Sequence, residues 1–145
     1  MELRSTILAA LPLLIVLLSG GAPADECGSK ATVDASARKF SVVLQKVSGM
    51  EDQTYDDIGC AVRARNEECA TRQGIFDSNA VVVDYASGEN LPAEKAWFVL
   101  KTDVATPRGF GIVAFKDKTA AVKFSADHGK GKVIKWFELV DEKLK

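Results

Sequence analysis

Residues 96–137, AWFVLKTDVATPRGFGIVAFKDKTAAVKFSADHGKGKVIKWF, lay out a complete structural plan in one stretch. The opening run over 96–101 is short, aromatic and β-branched, as a strand that packs on a pleated surface requires. A loop punctuated by Pro107, Gly109 and Gly111 leads to a second strand over 112–115. Asp117 and Lys118 then stand ahead of Thr119, Ala120, Ala121, Val122 and Phe124, a helical run closed by His128-Gly129. An acidic cap in front and a glycine behind are the marks of both helix ends. Residues 133–137 supply a last strand. The order is strand, strand, helix, strand.

Toward the N-terminus the same order is found again. Phe40, Val42, Val43, Leu44 and Val47 mark a strand over 40–47 that stops at the turn Ser48-Gly49, and a short strand follows over 53–55. Asp56 and Asp57 precede Ile58, Ala61, Val62 and Arg65, the N-cap and apolar face of a helix, with Gly74 just beyond its other end. Residues 80–85, Ala-Val-Val-Val-Asp-Tyr, form the third strand, and Ser87-Gly88-Glu89-Asn90 is a turn that divides the two halves. The expected fold class is α+β: two tandem strand-strand-helix-strand modules, with slight residue identity between them. Neither module alone can bury its sheet face, so the two must pack as one small domain over 37–140. A polar arm over 25–36, read as mobile, precedes that domain, and a charged tail over 141–145 follows it.

The first two dozen residues belong to a different class. Arg4 precedes an apolar run over 7–18, and Ser19, Gly20, Gly21 and Ala22-Pro23-Ala24 follow. The run is shorter than the ~20 residues a membrane-spanning helix needs, and small residues at 22 and 24 suit a signal peptidase. A secretion signal over 1–24, cleaved after Ala24, is the expectation, with an exported or periplasmic product and no transmembrane anchor left. Cys27 follows Glu26 and lies well beyond the apolar run, so lipid anchoring is not expected. The chain holds 19 basic and 20 acidic residues, which gives no electrostatic reason to bind nucleic acid or an anionic membrane face.

Export puts all three cysteines, Cys27, Cys60 and Cys69, where disulfides persist, and an odd number leaves at least one thiol unpaired within a molecule. Cys60 opens the first helix, whose N-terminus favours a thiolate suited to a metal ion. Cys69, nine residues on, would sit on the opposite face and about 13 Å along an unbroken helix, so the two could not grip one ion together. Cys69 is read as buried, or as paired with Cys27 from the arm, which would leave Cys60 free. Cys27 is alternatively a ligand carried on that arm. Met50, beside Gly49, is either an exposed soft ligand or a packed turn residue. His128 reads first as a helix-end residue that bonds the last carbonyls, and second as a ligand. Trp97, Phe98, Phe115, Trp136 and Phe137 read as core and sheet-packing aromatics.

Several strings taken together resemble the NosL family, the copper-binding accessory proteins of nitrous oxide reductase. They are Tyr55-Asp56-Asp57-Ile58-Gly59-Cys60, Val83-Asp84-Tyr85 followed by Gly88-Glu89, Ala96-Trp97-Phe98-Val99, Thr106-Pro107 with Gly109 and Gly111, Ala114-Phe115, and His128-Gly129. The resemblance spans residues 55–139. It implies export, two strand-strand-helix-strand modules arranged as in alkylmercury lyase, and a metallochaperone that binds Cu(I) through sulfur and delivers it to a reductase assembled in the periplasm. The family commonly has Cys-Gly-Met near the start, Thr-Pro-Met-Gly in the central loop and a methionine after the helix cysteine; this chain has Ser29, Arg108 and Ala61 at those places.

Metal binding through Cys60 with help from Cys27, and with Met50 and His128 as further candidates, is therefore the leading expectation. The partner it implies is a periplasmic metalloenzyme or its assembly machinery, with a homodimer left open. The alternative is a metal-free periplasmic interaction module that kept the fold and lost the site, for which Arg108 argues, since a guanidinium cannot ligate a cation. An enzyme is not expected. The cysteines form no adjacent pair of the kind alkylmercury lyase uses, and the chain has no phosphate-binding loop, no zinc spacing and a single histidine.

Overall fold

A computed structural model describes residues 27–30, 32–45 and 51–144. The expected secretion signal, Met50 and the turn beside it lie outside the described residues. The expected α+β fold of two strand-strand-helix-strand modules is present. The first module contains β1 (Val42–Leu44), β2 (Gln53–Tyr55), α1 (Ile58–Glu67), α2 (Ala70–Asn79), β3 (Ala80–Val83) and β4 (Asn90–Pro92). The second contains β5 (Trp97–Val99), β6 (Val113–Phe115), α3 (Lys118–Asp127), β7 (Val133–Lys135) and α4 (Trp136–Val140). Each module's first strand is central: β1 pairs antiparallel with β2 and β3, and β5 with β6 and β7.

Strand periodicity decides which faces meet. In the first sheet Tyr55, Val42, Val82 and Leu91 stand opposite one another in register, and all four are buried in the main core. In the second sheet Phe98, Ala114 and Ile134 join that same core, while Val99, Val113 and Phe115 form a separate cluster with Phe40 and Ala121 of α3. The second sheet is thus apolar on both faces. One face is covered by its own helix and the other by the first module, which is why neither half is a domain on its own. Trp136, Phe98, Ile58 and Leu139 lose all contact with solvent; each such side chain stabilises by about 1.5–3 kcal/mol. A backbone bond from Tyr85 N–H to Ala114 O (2.8 Å) ties the modules directly.

Three expectations are corrected. The first helix does not run unbroken to Gly74: Glu68 and Cys69 are extended, and a second helix starts at Ala70 with Gly74 inside it. The stretch Arg65-Asn66-Glu67-Glu68 has no apolar side chain to hold it on the core, and the break lets α2 fold back so that Asp77 meets Arg65 in a two-pronged ion pair, 2.7 and 3.0 Å. The last strand ends at Lys135 rather than at residue 137, because the Lys135 N–H donates to the Glu138 carboxylate (2.9 Å) and caps a short helix. That turn sends Trp136 inward, where its indole N–H donates to Asp77 (2.7 Å), and leaves Phe137, expected in the core, 55% exposed. The charged tail carries Leu144, which packs against the core. Of the arm's described residues, Cys27 meets the domain through a disulfide and Lys30 through a bridge to Thr54 on β2. β4 was not foreseen; three residues ending in Pro92 carry little strand signal and are accepted only at a sheet edge.

Candidate functional site

The start of α1 is built around two adjacent aspartates with different tasks. Asp57 is the N-cap, completely buried, and one carboxylate oxygen accepts from the Gly59 N–H at 3.0 Å. Its other oxygen accepts from the Arg108 backbone N–H at 2.8 Å, so one side chain both starts a helix of the first module and holds a loop of the second. Asp56 faces the same loop and takes the Arg108 guanidinium at 2.7 Å from Nη2 and 3.1 Å from Nε. Both side chains are largely buried. A charge-assisted pair of this geometry fixes position as well as contributing energy. Tyr55, just before them, is a neutral packing group: burial, with the nearby Glu68 and Glu67, raises its phenol above the usual value.

The loop that meets them, residues 106–111, is braced internally. Thr106 Oγ1 accepts from the Gly111 N–H (3.1 Å), and the Gly111 carbonyl accepts from both the N–H and the hydroxyl of Thr102 (3.0 and 2.8 Å). Gly111 has φ +62°, and a Cβ there would stand 2.9 Å from the Thr102 carbonyl oxygen, so the position takes only glycine without strain. Phe110 is thereby laid over α1. A Cβ on Gly59 would fall 2.1 Å from the Phe110 ring, and the Arg63 guanidinium covers that ring at 4.7 Å. Between the arm and this loop lies an open polar cleft of about 480 Å³ lined by Lys30, Asp34, Phe40, Asp56, Thr106 and Arg108.

Cys60 is the third residue of α1 and has no solvent exposure. It is bonded to Cys27, with the two Cα atoms 4.9 Å apart, and Cys27 is half-buried against the core. This corrects the pairing expected of the arm cysteine: Cys27 joins Cys60, not Cys69. Cys69 is the free thiol, and it is exposed rather than buried, because the helix break makes it the N-cap of α2 instead of a residue on the far face of α1. Of the four candidate ligands the structure brings two together, Cys27 and Cys60. Met50 lies outside the described residues. His128 is the C-cap of α3, stacked on Phe124 at 4.1 Å between ring centroids, and its ring meets the Asp103 carboxylate (Nδ1 at 2.8 Å) rather than the last helix carbonyls expected for it. Among the described residues no three His, Cys, Asp or Glu side chains are grouped to hold a metal ion.

Two of the strings quoted above, 55–60 and 106–111, are therefore in contact although some fifty residues separate Asp56 from Arg108 (52 in sequence). The NosL family model matches residues 43–144, which takes in both strings and both modules. The chain belongs to the NosL family. Among solved structures, the crystal structure of the copper chaperone NosL from Shewanella denitrificans is similar at 18% identity, covering 68% of this chain and 76% of that one with a TM-score of 0.49. No curated protein matches the chain. Among the described residues no helix is long and apolar enough to cross a membrane.

In this NosL member the chemistry available at the junction is that of two sulfurs. Joined, they exchange with thiols; separated by reduction, they are two soft anionic ligands on facing segments. The sequence shows Cys60 and Cys27 as candidates for one metal ion but not their disulfide, since the arm carries no periodicity from which a pairing follows. Asp56, Asp57, Gly59 and Phe110 were also missed as members of one assembly. The signal that points to them is the pair of strings itself: a glycine directly before the helix cysteine, two aspartates before that, and an arginine-bearing glycine loop of the other module.

Proposed function

We propose that this NosL family member is an exported accessory protein that takes up Cu(I) as cargo through Cys27 and Cys60 in their reduced form and passes it to a periplasmic metalloenzyme under assembly. The observation that carries the reading is the meeting of Cys27 with Cys60 at the start of α1, in a chain of the NosL family, for which the sequence resemblance implies Cu(I) binding through sulfur. Two thiolates suit a soft monovalent ion that tolerates few ligands, whereas structural zinc takes four. Cys27 sits on an arm that precedes the domain and outside its regular helices and strands, so it can follow a change in sulfur spacing. Delivery needs a site that lets go, and a site of only two sulfur ligands, one of them on the half-exposed Cys27, meets that need.

A specific observation supports a second reading, a metal-free interaction module. Arg108 occupies the loop position at which the family commonly has methionine, and it is locked to Asp56. Anaerobic titration of the reduced protein with Cu(I) against a chromophoric chelator decides between the two. Competition for a single Cu(I), abolished in both Cys27→Ser and Cys60→Ser, is the expected result. A parent protein that fails to compete, or binding that survives both substitutions, would refute the copper reading and leave the interaction module.

A further inference from the structure

The two ends of the disulfide are unequally placed. Cys60 is fully enclosed at the start of α1, while Cys27 is half-exposed on the arm. An incoming thiolate must approach along the S–S axis; Cys60 is closed to solvent, so the half-exposed Cys27 is the end of the bond that faces an incoming thiol. Attack there expels Cys60 as the leaving thiolate. That position suits a leaving group: the N-terminal turn of a ten-residue helix favours an anion, and Arg63 stands one turn on, at i+3. The negative charge of Asp57, three residues before, is met by the Gly59 and Arg108 N–H groups.

The fold does not depend on the bond as a staple. Of the arm's described residues, Cys27 packs against the main core and Lys30 bridges to β2, whereas the core itself is drawn from all seven strands and the helices α1, α2 and α4. Domains of this size bury enough apolar surface without cross-links. We propose that Cys27–Cys60 is a thiol-exchange site, entered at Cys27 by an exported dithiol reductant. The inference rests on the copper reading above for its purpose, because it determines when the pair is open to the metal.

The chemistry balances as two exchanges. The reductant's first thiolate bonds to the Cys27 sulfur and the S–S electron pair leaves with Cys60. The reductant's second thiolate then attacks its own sulfur in the mixed disulfide and expels Cys27 as a thiolate. Two electrons pass from the dithiol to the Cys27–Cys60 pair, the reductant leaves as a disulfide, and its two thiol protons are available to Cys27 and Cys60 until the metal displaces them.

The test uses the oxidised mature chain carrying Cys69→Ser, so that the exposed free thiol takes no part. Reduced glutathione, a monothiol with no second sulfur of its own to resolve the mixed disulfide, is added under native anaerobic conditions, followed after a short time by acid quench, alkylation and peptide mapping. The expected product carries glutathione on Cys27 and the alkyl label on Cys60, in about tenfold excess over the reverse arrangement. Equal labelling, glutathione mainly on Cys60, or no exchange until urea is added would overturn the proposal. The copper reading is separated from it by titrating the dithiothreitol-reduced protein with Cu(I). Uptake there with native exchange refused overturns the exchange site alone; exchange at Cys27 without uptake upholds the site and refutes the copper reading.

Discussion

Gly59 and Gly74 stand inside two helices of ten residues each, and intrinsic propensity alone says that alanine stabilises either position by up to about 1 kcal/mol. Their surroundings separate them. Nothing lies within 4 Å of where a Cβ on Gly74 would be, so Gly74→Ala should gain close to that full amount. On Gly59 the Cβ would stand 2.1 Å from Phe110 Cγ and 2.4 and 2.5 Å from the two Cδ atoms, far inside contact distance. The ring must retreat by more than 1 Å, but it is anchored by the braced loop beneath and by Arg63 above. Overpacking of this kind costs about 1–3 kcal/mol, which exceeds the propensity gain. Gly59→Ala should therefore lose about 1 kcal/mol, and the two substitutions should differ by about 2 kcal/mol. Urea unfolding of the disulfide-intact protein, followed by tryptophan fluorescence, measures both. In a Phe110→Ala background the clash has no partner, and alanine at 59 should become neutral or stabilising, a coupling of about 1–3 kcal/mol. The reasoning is refuted if Gly59→Ala raises the midpoint as Gly74→Ala does, or if its effect is the same with and without the Phe110 ring.

Two further outcomes follow from buried carboxylates. Burial pushes the Asp84 carboxyl up, but the Ser87 hydroxyl, the Lys116 N–H and the Ser87 and Ala86 N–H groups outweigh it, so the group sits below the usual carboxylate value. Its contribution is then present above about pH 4 and is lost as pH falls through the lowered value. Asp84→Asn should cost about 1.5 kcal/mol at pH 7 and progressively less in denaturation series below pH 4; a pH-independent difference would contradict this. Asp77 accepts from Arg65 and from the Trp136 indole while almost enclosed, so Asp77→Ala leaves a cation and an N–H without their partner. A loss of about 3 kcal/mol or more in urea unfolding is expected, and a loss under about 1 kcal/mol would show that solvent takes over both groups.

How far the sequence could be read depended on whether a signal was local. Strand composition and the Asp57 and Asp117 caps each act within a few residues, and the two-module plan follows from them; both caps bond the N–H two residues on, as expected. The helix break at Glu68 and Cys69 was not legible. A helix containing Gly74 and the fork from Arg65 to Asp77 depend on tertiary contact across twelve residues, and propensity does not report that. The last strand was extended too far because Trp136 and Phe137 look alike by composition, while a single bond from Lys135 to Glu138 turns one inward and the other out. For the site, Cys60 could be singled out by its position at a helix start, whereas its bond to Cys27 joins residues 33 apart through an arm with no pattern. Arg108 was recognised as a foreign residue in its loop, but nothing local identifies Asp56 as the carboxylate that holds it.

The two modules repeat a plan, and their differences locate the site. Asp57 and Asp117 play the same part, each capping the helix that follows the second strand of its module. Asp117 is exposed and bonds only within its own helix start, whereas Asp57 is wholly buried and spends its second oxygen on the Arg108 N–H of the other module. The junction exists because the loop between β5 and β6 reaches across to α1, and glycine at 59 is what lets Phe110 lie flat there. The cysteine one residue after that glycine is fully buried, and the arm supplies the sulfur bonded to it. Enclosure of Cys60 and access to Cys27 are thus two results of one packing arrangement. A substitution that lifts the loop, such as Gly59→Ala, should expose Cys60 and erase the preference for attack at Cys27, so the stability measurement and the thiol-exchange map test the same junction from opposite sides.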